Sequence, residues 1–141
     1  MDDGCRSANF GDRSLVRAVP ALLEVVRQDI AAGSTRARLA SCDDGGVFTT
    51  AVGRYAANPF GLRDMSGNAW EWVDDCYEVS FETPPLDGKA RTKDNCVWRI
   101  VRGGSWDDYP TDFRSASRHR VPPTSRRDDG GFRVARSLAK P

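Results

Sequence analysis

Residues 58–72 read NPFGLRDMSGNAWEW, a run of turn-forming residues that passes into a short apolar segment. Asn58, Pro59 and Gly61 favour a tight turn, because each supplies a backbone conformation or a local hydrogen bond that other residues provide less readily. The apolar piece at 69–73 that follows has the length and composition of a short strand. This stretch therefore predicts a turn that opens into a strand.

The rest of the chain has the same texture around one helix. Pro20 suits the first turn of a helix, apolar residues follow it at three- and four-residue spacing, and Gly33 ends the pattern, so we predict a helix over 20–32. Residues 1–14 are polar, and we predict irregular structure there. After residue 42, short apolar pieces alternate with turn formers; besides 69–73 they are 47–48, 51–52, 60–62, 97–101 and 132–134. We expect a loop-rich α+β fold, with residues 1–141 as a single domain.

The charge balance argues against two classes of partner. Lys and Arg total 21 against 20 Asp and Glu, a net charge of +1, so we expect neither a nucleic-acid nor a membrane partner. Basic residues gather late in the chain, but acidic residues lie among them, which favours ion pairing over a phosphate-binding stripe. No apolar run approaches the ~18 residues of a membrane span. The acidic first residues do not resemble a secretory signal.

Four cysteines, Cys5, Cys42, Cys76 and Cys96, show no CxxC spacing and so give no zinc signature. An even number at wide spacing is compatible with two disulfides, which would imply an oxidising periplasmic or extracellular compartment. The sequence does not fix the pairing. Cys76 and Cys96 flank a stretch at 78–95 that we predict to be a long surface loop, and a disulfide between them would close it.

Three groups of motifs, taken in order, resemble one protein family. Their residues are 8–10 with 42–49 and 52–53, then 58–72, and finally 102–106, 114–118 and 130–135, which include a Gly-Gly-Ser-Trp and a Gly-Phe-Arg-Val sequence. Each motif alone is a weak signal, but the ordered set is specific. On these motifs the chain resembles the formylglycine-generating enzyme, or sulfatase-modifying factor, family.

The resemblance implies a loop-dominated α+β fold similar to that of C-type lectins. Complete domains of the family are longer, so we expect this chain to hold the C-terminal part of one, with residues 15–41 as a helical insertion. The resemblance also implies a relation to oxidoreductases that use copper to convert a substrate cysteine into formylglycine.

Calcium is the cofactor that the resemblance implies. One structural site would use the Asn9 side chain, the Phe10 carbonyl, the Asp44 carboxylate and the Gly46 carbonyl. The other would use the Asp64 side chain, the carbonyls of Gly67 and Ala69, and the Glu71 carboxylate. Ca²⁺ takes six to eight oxygen ligands and accepts such mixed shells. From the residues alone, Asp64 and Glu71 could instead cap turns or form ion pairs.

The catalytic cysteines of the family have no counterpart here. Family members bind copper through two thiolates that follow the Gly-Gly-Ser-aromatic motif, five residues apart, because soft sulfur selects Cu(I). Asp108 and Phe113 stand at these two positions. We therefore expect no copper, no copper-dependent formylglycine formation and no catalytic residue of that kind.

The alternative function is a calcium-stabilised ligand- or protein-binding module, or a pseudoenzyme. Relatives of this fold serve as binding platforms whose variable stretch corresponds to residues 107–129. We predict a recognition surface for a protein, a peptide or a small ligand, made of Trp106, Asp107, Asp108, Tyr109, Arg114 and Arg118. Equally open is that Arg114, Arg118 and Arg133 form internal salt bridges to Asp107, Asp108 or Asp129.

Three further features predict structure rather than chemistry. Trp70 and Trp72 fit core positions, as most tryptophans of a small domain do. The segment around Gly103 and Gly104 has neither the spacing nor the lysine of a phosphate loop, so close backbone packing is expected there. His119 is the one histidine, and we predict it to be exposed.

Overall fold

A computed structural model describes residues 4–35, 37–79 and 87–136. Three short helices come first, then four strands with one 3-10 helix between the second and third strands. The helices are α1 (Gly4–Ser7), α2 (Arg13–Ala18) and α3 (Leu22–Ala31). The strands are β1 (Trp70–Cys76), β2 (Arg99–Arg102), β3 (His119–Val121) and β4 (Gly130–Phe132), and the 3-10 helix is Pro110–Phe113. None of the described helices is long and apolar enough to cross a membrane.

The helical part agrees with the sequence at α3 and differs before it. Helix α3 lies within the predicted 20–32 and ends just before Gly33, whose φ of 89° is easy only for glycine. The irregular structure predicted over 1–14 is wrong at 4–7 and 13–14, which belong to α1 and α2, and residues 1–3 lie outside the described residues. Asp12 caps α2 by accepting hydrogen bonds from the amides of Ser14 (2.8 Å) and Leu15 (3.3 Å).

The four strands form one mixed sheet in the order β3-β2-β1-β4. Strand β1 is antiparallel to β2 and parallel to β4, and β2 is antiparallel to β3. The predicted pieces 69–73, 97–101 and 132–134 overlap β1, β2 and β4. The pieces 47–48, 51–52 and 60–62 belong to loops. Strand β3 was not predicted, because two of its three residues are polar. The expected mixture of helix and strand is confirmed.

One face of the sheet carries an apolar cluster. Trp72 is paired with Val101, and Val101 with His119, so these side chains share a face. Trp70, Val101 and Val121 are buried together, with Trp72 packed against them. The core positions predicted for the two tryptophans are thus confirmed. This face supports the cavity described below.

Gly67 joins the first and second motif groups. Its φ is 74°, and a Cβ on this residue would lie 2.0 Å from the backbone oxygen of Asn9. The Gly67 amide donates to the carbonyl of Gly103 (2.8 Å), and the Asn68 amide donates to the carbonyl of Asn9 (2.8 Å). Only glycine permits this close approach, so three distant segments meet at one residue.

Two disulfides close the chain, Cys5–Cys42 and Cys76–Cys96. The second is the pairing that would close the loop predicted at 78–95, although part of that loop lies outside the described residues. Two disulfides fit folding in an oxidising compartment. Because the sequence has four cysteines, no free thiol remains.

Candidate functional site

The segment after Gly-Gly-Ser-Trp is folded tightly against the domain. Gly104 has a φ of 79°, and a Cβ on it would lie 2.2 Å from the Phe113 ring. Phe113 also packs on Phe10, with ring centroids 5.2 Å apart. The close backbone packing predicted for this glycine pair therefore has a specific partner, the aromatic ring at the second cysteine position of the family.

Asp108, at the first cysteine position, forms a polar cluster with Ser105. The Ser105 amide donates to Asp108 Oδ2 (2.8 Å), and the Ser105 hydroxyl lies between Asp107 Oδ1 (2.7 Å) and Asp108 Oδ2. A hydroxyl has one hydrogen, so both contacts are satisfied only when one carboxyl carries a proton. Burial raises the pKa of Asp108, as do the charges of Asp107 and Asp129. The raised pKa favours the protonated form of Asp108.

Asp108 faces a cavity of about 400 Å³ on the apolar face of the sheet, which we call the sheet cavity. Its floor is aromatic and aliphatic, and its rim is polar. The floor contains Trp70, Trp72, Val101 and Val121, and the rim contains Asp108, His119, Ser125, Arg126 and Arg127. This combination of an apolar floor with a few polar groups is typical of a small-ligand site.

Phe113 lies in a different and larger cavity of about 810 Å³, which we call the apolar cavity. It is lined mainly by small and apolar side chains, among them Phe10, Leu39, Leu62 and Met65. The two positions that carry thiolates in the family therefore open onto separate cavities in this chain. Neither an acid nor a phenyl ring replaces a soft copper ligand.

The six residues predicted as a recognition surface are divided among several places. Asp108 lines the sheet cavity, while Arg114 and Arg118 line a neighbouring cavity of about 280 Å³ that we call the arginine cavity. Asp107 is exposed beside Ser105. Trp106 packs edge-on against Phe48, with ring centroids 5.0 Å apart.

Tyr109 connects the segment to helix α3. Its hydroxyl donates to Asp29 Oδ2 of α3 (2.9 Å). Burial raises the pKa of Tyr109 to about 12, and the bond to the Asp29 carboxylate contributes to the rise. The residue therefore has a structural role as well as a place among the predicted recognition residues.

Internal salt bridges of the predicted kind exist, but with other partners. Arg133 binds Glu71, with Nε 3.0 Å from both carboxylate oxygens. The buried Asp129 is paired with Arg127, whose Nε lies 2.5 Å from Asp129 Oδ1. Arg118 donates to the carbonyl of Glu78 (3.0 Å). The arginine prediction from sequence thus gave the right kind of interaction and missed the pairing.

The residues of the first predicted calcium site lie close together. The amides of Phe10 and Gly46 donate to the two Asp44 oxygens, at 2.9 and 2.7 Å. Asn9 donates through Nδ2 to the Phe48 carbonyl (2.8 Å), and its Oδ1 is buried without a hydrogen-bond partner. A Cβ on Gly46 would lie 2.8 Å from that oxygen. Burial raises the pKa of Asp44, and a cation beside it would offset that loss of hydration.

The residues of the second predicted site are only partly available. Asp64, with a φ of 54°, accepts the Gly53 amide through Oδ2 (2.6 Å), and its Oδ1 is buried without a partner. The Gly67 carbonyl accepts the Ala69 amide (2.9 Å). Glu71 is held by Arg133, as described above. The ion-pair alternative weighed from sequence therefore describes Glu71, while Asp64 keeps an unsatisfied oxygen.

These two oxygens stand out within residues 4–35, 37–79 and 87–136. Asn9 Oδ1 and Asp64 Oδ1 are the only side-chain oxygens there that are buried without a hydrogen-bond partner. Buried polar atoms are nearly always paired, so each needs an explanation. In the same ranges no three His, Cys, Asp or Glu side chains lie close enough to hold a metal. A cation at either position would need amide and carbonyl oxygens, which hard cations accept.

Sequence reasoning missed most of the sheet cavity. His119 is exposed, as predicted, but it also stacks on Trp70 with ring centroids 5.3 Å apart and lines two cavities. Ser125 and Arg126 carried no signal, because polar residues in a loop are common and only the fold places them beside the tryptophans. Trp70 and Trp72 could have indicated a cavity, but tryptophans at core positions give the same sequence pattern.

Comparison with known proteins gives a consistent result. The family model described as "Sulfatase-modifying factor enzyme 1-like domain" matches residues 24–138. The chain is 40% identical over 96 residues to a protein named serine/threonine-protein kinase pkn1 from Chlamydia caviae, covering 64% of this chain and 15% of that protein. It is 33% identical over 100 residues to the formylglycine-generating enzyme of Streptomyces coelicolor, covering 67% of this chain and 31% of the enzyme.

A solved structure is similar over nearly the whole chain. PvdO from Pseudomonas aeruginosa matches with a TM-score of 0.67 and 29% identity, covering 92% of this chain and 38% of PvdO. The chain thus spans between 15% and 38% of the length of these three proteins. Similarity at this coverage describes a shared domain portion rather than a whole protein.

Proposed function

The chain belongs to the sulfatase-modifying factor enzyme 1-like family, and on that premise we propose that it is a calcium-stabilised ligand-binding member without the family's thiolate chemistry. The proposal rests on where the residues at the family's two cysteine positions lie in this fold. Asp108 opens onto the sheet cavity and Phe113 fills part of the apolar cavity. Asp108, at the family's first cysteine position, is thus part of the wall of a pocket that we propose binds the ligand.

The sheet cavity has the properties of a site for a small ligand or a peptide side chain. Its volume of about 400 Å³ lies in the usual range for such sites. Trp72 and Val121 offer apolar and aromatic surface, which contributes about 25 cal/mol for each Å² that a ligand covers. Asp108 and Arg126 at the rim give the cavity both a carboxyl and a guanidinium for polar contacts. We therefore place the ligand of this domain there.

Oxidation of a substrate cysteine by copper is not supported for this chain. The disulfides Cys5–Cys42 and Cys76–Cys96 use all four cysteine sulfurs, so no thiolate is available as a soft ligand. The name of the Streptomyces coelicolor relative describes a protein of which this chain spans 31%. The name of the Chlamydia caviae relative describes one of which it spans 15%, and we propose no kinase activity.

Calcium is proposed as a structural ion. Asn9, Asp44 and the carbonyls of Phe10 and Gly46 would hold it at the first site, where the unpartnered Asn9 Oδ1 supports the assignment. Asp64 with the carbonyl of Ala69 would hold a second ion less completely, because Arg133 already neutralises Glu71. When bound, calcium would supply positive charge to desolvated oxygens and tie the N-terminal segment to the loop that contains Asp44.

Two measurements test the function. First, a cysteine-containing sulfatase peptide incubated with the protein and Cu(I) should give no aldehyde by mass spectrometry. Formation of formylglycine at a rate above that of copper alone would overturn the proposal. A known formylglycine-generating enzyme, assayed in parallel, shows that the peptide and the copper are competent.

Second, the neutral fluorescent probe N-phenyl-1-naphthylamine should bind the sheet cavity and gain emission. Ser125→Trp places an indole at the half-buried rim of this cavity and should abolish the gain. Ala57→Trp, an exposed position that lines the apolar cavity, is the matched control and should leave the gain intact. The reverse result would place binding in the apolar cavity and contradict the assignment.

A further inference from the structure

The arginine cavity adjoins the sheet cavity. Both cavities include Trp70 and His119, whose tilted rings pack together with centroids 5.3 Å apart. The lining of the arginine cavity is mostly polar, unlike that of its neighbour. It contains two guanidinium groups, one imidazole and two hydroxyls, from Arg114, Arg118, His119, Ser117 and Tyr77.

A turn held by β2 presents these groups. The Ser117 amide donates to the carbonyl of Arg114 (2.7 Å), which closes a four-residue turn. Arg102 of β2 donates through Nη1 to the carbonyls of Ser115 (2.9 Å) and Ser117 (3.3 Å). These bonds satisfy two carbonyls of the turn, and the side chains of Arg114 and Ser117 line the cavity.

Arg118 and His119 are positioned by aromatic neighbours. The Arg118 guanidinium lies over the Tyr77 ring, 5.4 Å from its centroid, and donates through Nη2 to the carbonyl of Glu78 (3.0 Å). His119 is stacked on Trp70. A site whose donors are held before the ligand arrives loses less entropy on binding.

The balance of charge at the cavity is positive. Among its lining residues Asp112 is the one carboxylate, and the two guanidinium groups of Arg114 and Arg118 outnumber it. Arg102 stands near enough to Arg118 to oppose its charge; burial and this repulsion lower the pKa of Arg118, while Tyr77, Asp75 and Glu78 act in the opposite direction. A bound anion would offset the repulsion between the guanidinium groups of Arg102 and Arg118.

We propose that the arginine cavity is an oxyanion site that binds the phosphate or sulfate group of a small ligand. Guanidinium groups bind such tetrahedral anions through paired, charge-assisted hydrogen bonds, and a hydroxyl and an imidazole complete the donor set. The cavity volume of about 280 Å³ accommodates the anionic group with part of the molecule that carries it. This site shares Trp70 and His119 with the sheet cavity, but Arg114, Ser117 and Arg118 line the arginine cavity alone.

The single histidine of the chain provides a direct test. In tag-free protein, the imidazole NMR signal reports the His119 pKa in sodium chloride and in sodium sulfate at equal ionic strength. Sulfate remains a dianion throughout the titration of histidine. Bound sulfate should raise the His119 pKa by about half a unit or more, saturably, because a nearby anion favours the imidazolium form.

Two matched variants locate the anion. Arg114→Ala removes an exposed arginine of the arginine cavity, and Arg126→Ala removes an exposed arginine of the sheet cavity. The first should lose most of the sulfate-induced shift, and the second should keep it. The proposal is overturned by an absent or non-saturating shift, by a shift that Arg114→Ala retains, or by one that only Arg126→Ala abolishes.

The chemical source of the anion is then read from two esters. Phenyl phosphate and phenyl sulfate are titrated at one pH, and the dissociation constant of each is obtained from the His119 signal. The tighter ester identifies which group the site prefers, and failure of both to compete with inorganic sulfate would contradict a site for a ligand-borne anion. Probe binding in the sheet cavity is measured separately, so its failure does not affect this result.

Discussion

The environment of Asp108 disfavours its negatively charged form. It is half-buried beside the charges of Asp107 and Asp129, and both burial and those charges raise its pKa. The folded protein therefore keeps this proton over a pH range in which the unfolded chain has lost it. The stabilisation from the neutral acid is present at low pH and is lost as pH rises through the folded pKa.

Asp108→Asn should remove this loss of stability at higher pH, because asparagine has nearly the same shape and carries no charge. Near pH 7 to 8 the variant should melt at most a few degrees above the parent, and below about pH 4 the two should melt alike, since both are then uncharged. Thermal melts across pH measure the difference. Asp107→Asn, at the exposed neighbour, is the control and should give the smaller effect. A gain for Asp108→Asn at low pH alone would contradict the sign.

Gly67 is the second residue whose role the fold makes specific. A Cβ there would overlap the Asn9 carbonyl oxygen, a backbone atom that cannot move aside without shifting the N-terminal segment. Gly67→Ala should lower the free energy of unfolding by about 3 kcal/mol or more, from the positive φ and the clash together.

Gly61→Ala is the matched control for Gly67→Ala in denaturant unfolding. Gly61 lies six residues earlier with a φ of 77°, and nothing lies within 4 Å of its Cβ position. It should lose only about 1 kcal/mol, the cost of a positive φ. Equal losses at the two positions would show that the contact with Asn9 carries no energy.

At the scale of elements, the Cys76–Cys96 disulfide links the end of β1 to the segment that enters β2. It closes a loop of 20 residues, which by chain entropy contributes about 3 kcal/mol. The double variant Cys76→Ser/Cys96→Ser should therefore lose about that much stability in denaturant unfolding.

Mass spectrometry of the non-reduced parent provides the check on this pairing. A peptide joining Cys76 to Cys96 should be found, and it should disappear after reduction. Detection of Cys76 joined to Cys5 or Cys42 would contradict the structure. The Cys5–Cys42 disulfide, with a separation of 37 residues, serves as the internal comparison within the same digest.

The elements differ in how far the sequence predicted them. Helix α3 followed from apolar spacing and from the proline and glycine at its ends, which are local signals. Strand β3 and helix α1 did not, because α1 is four residues long and β3 is three. Such short elements exist only through contacts with the rest of the fold, and no local pattern encodes them.

At the scale of the whole molecule, calcium is the factor we expect to hold the loops together. Chelation with EGTA should lower the melting temperature, and at a calcium concentration of 100 times Kd binding adds about 2.7 kcal/mol. Asn9→Ala should remove the response of the first site and Asp64→Ala that of the second. An EGTA-treated sample that melts like the calcium-loaded one would contradict both sites.

The candidate site was predictable at the positions that carry family motifs and hidden elsewhere. The ordered motifs gave the likeness to the family, and that resemblance implied the place of Asp108 and Phe113 and the candidate calcium ligands. That Asp108 and Phe113 open onto separate cavities did not, because it depends on the ring of Phe113 lying against Gly104. Likewise, the pairing of Arg133 with Glu71 depends on β4 lying beside β1.

By itself the sequence determined the family, the absence of the cysteine pair, the mixed composition of helix and strand, and the helix at 20–32. These properties reside in residue identities and short spacings, which act locally. Only the tertiary structure decided the partner of each cysteine, the role of His119 between two cavities, and the burial of Asn9 Oδ1 and Asp64 Oδ1. Those properties arise where segments distant in sequence meet, and loops without a regular period leave no trace of such meetings along the chain.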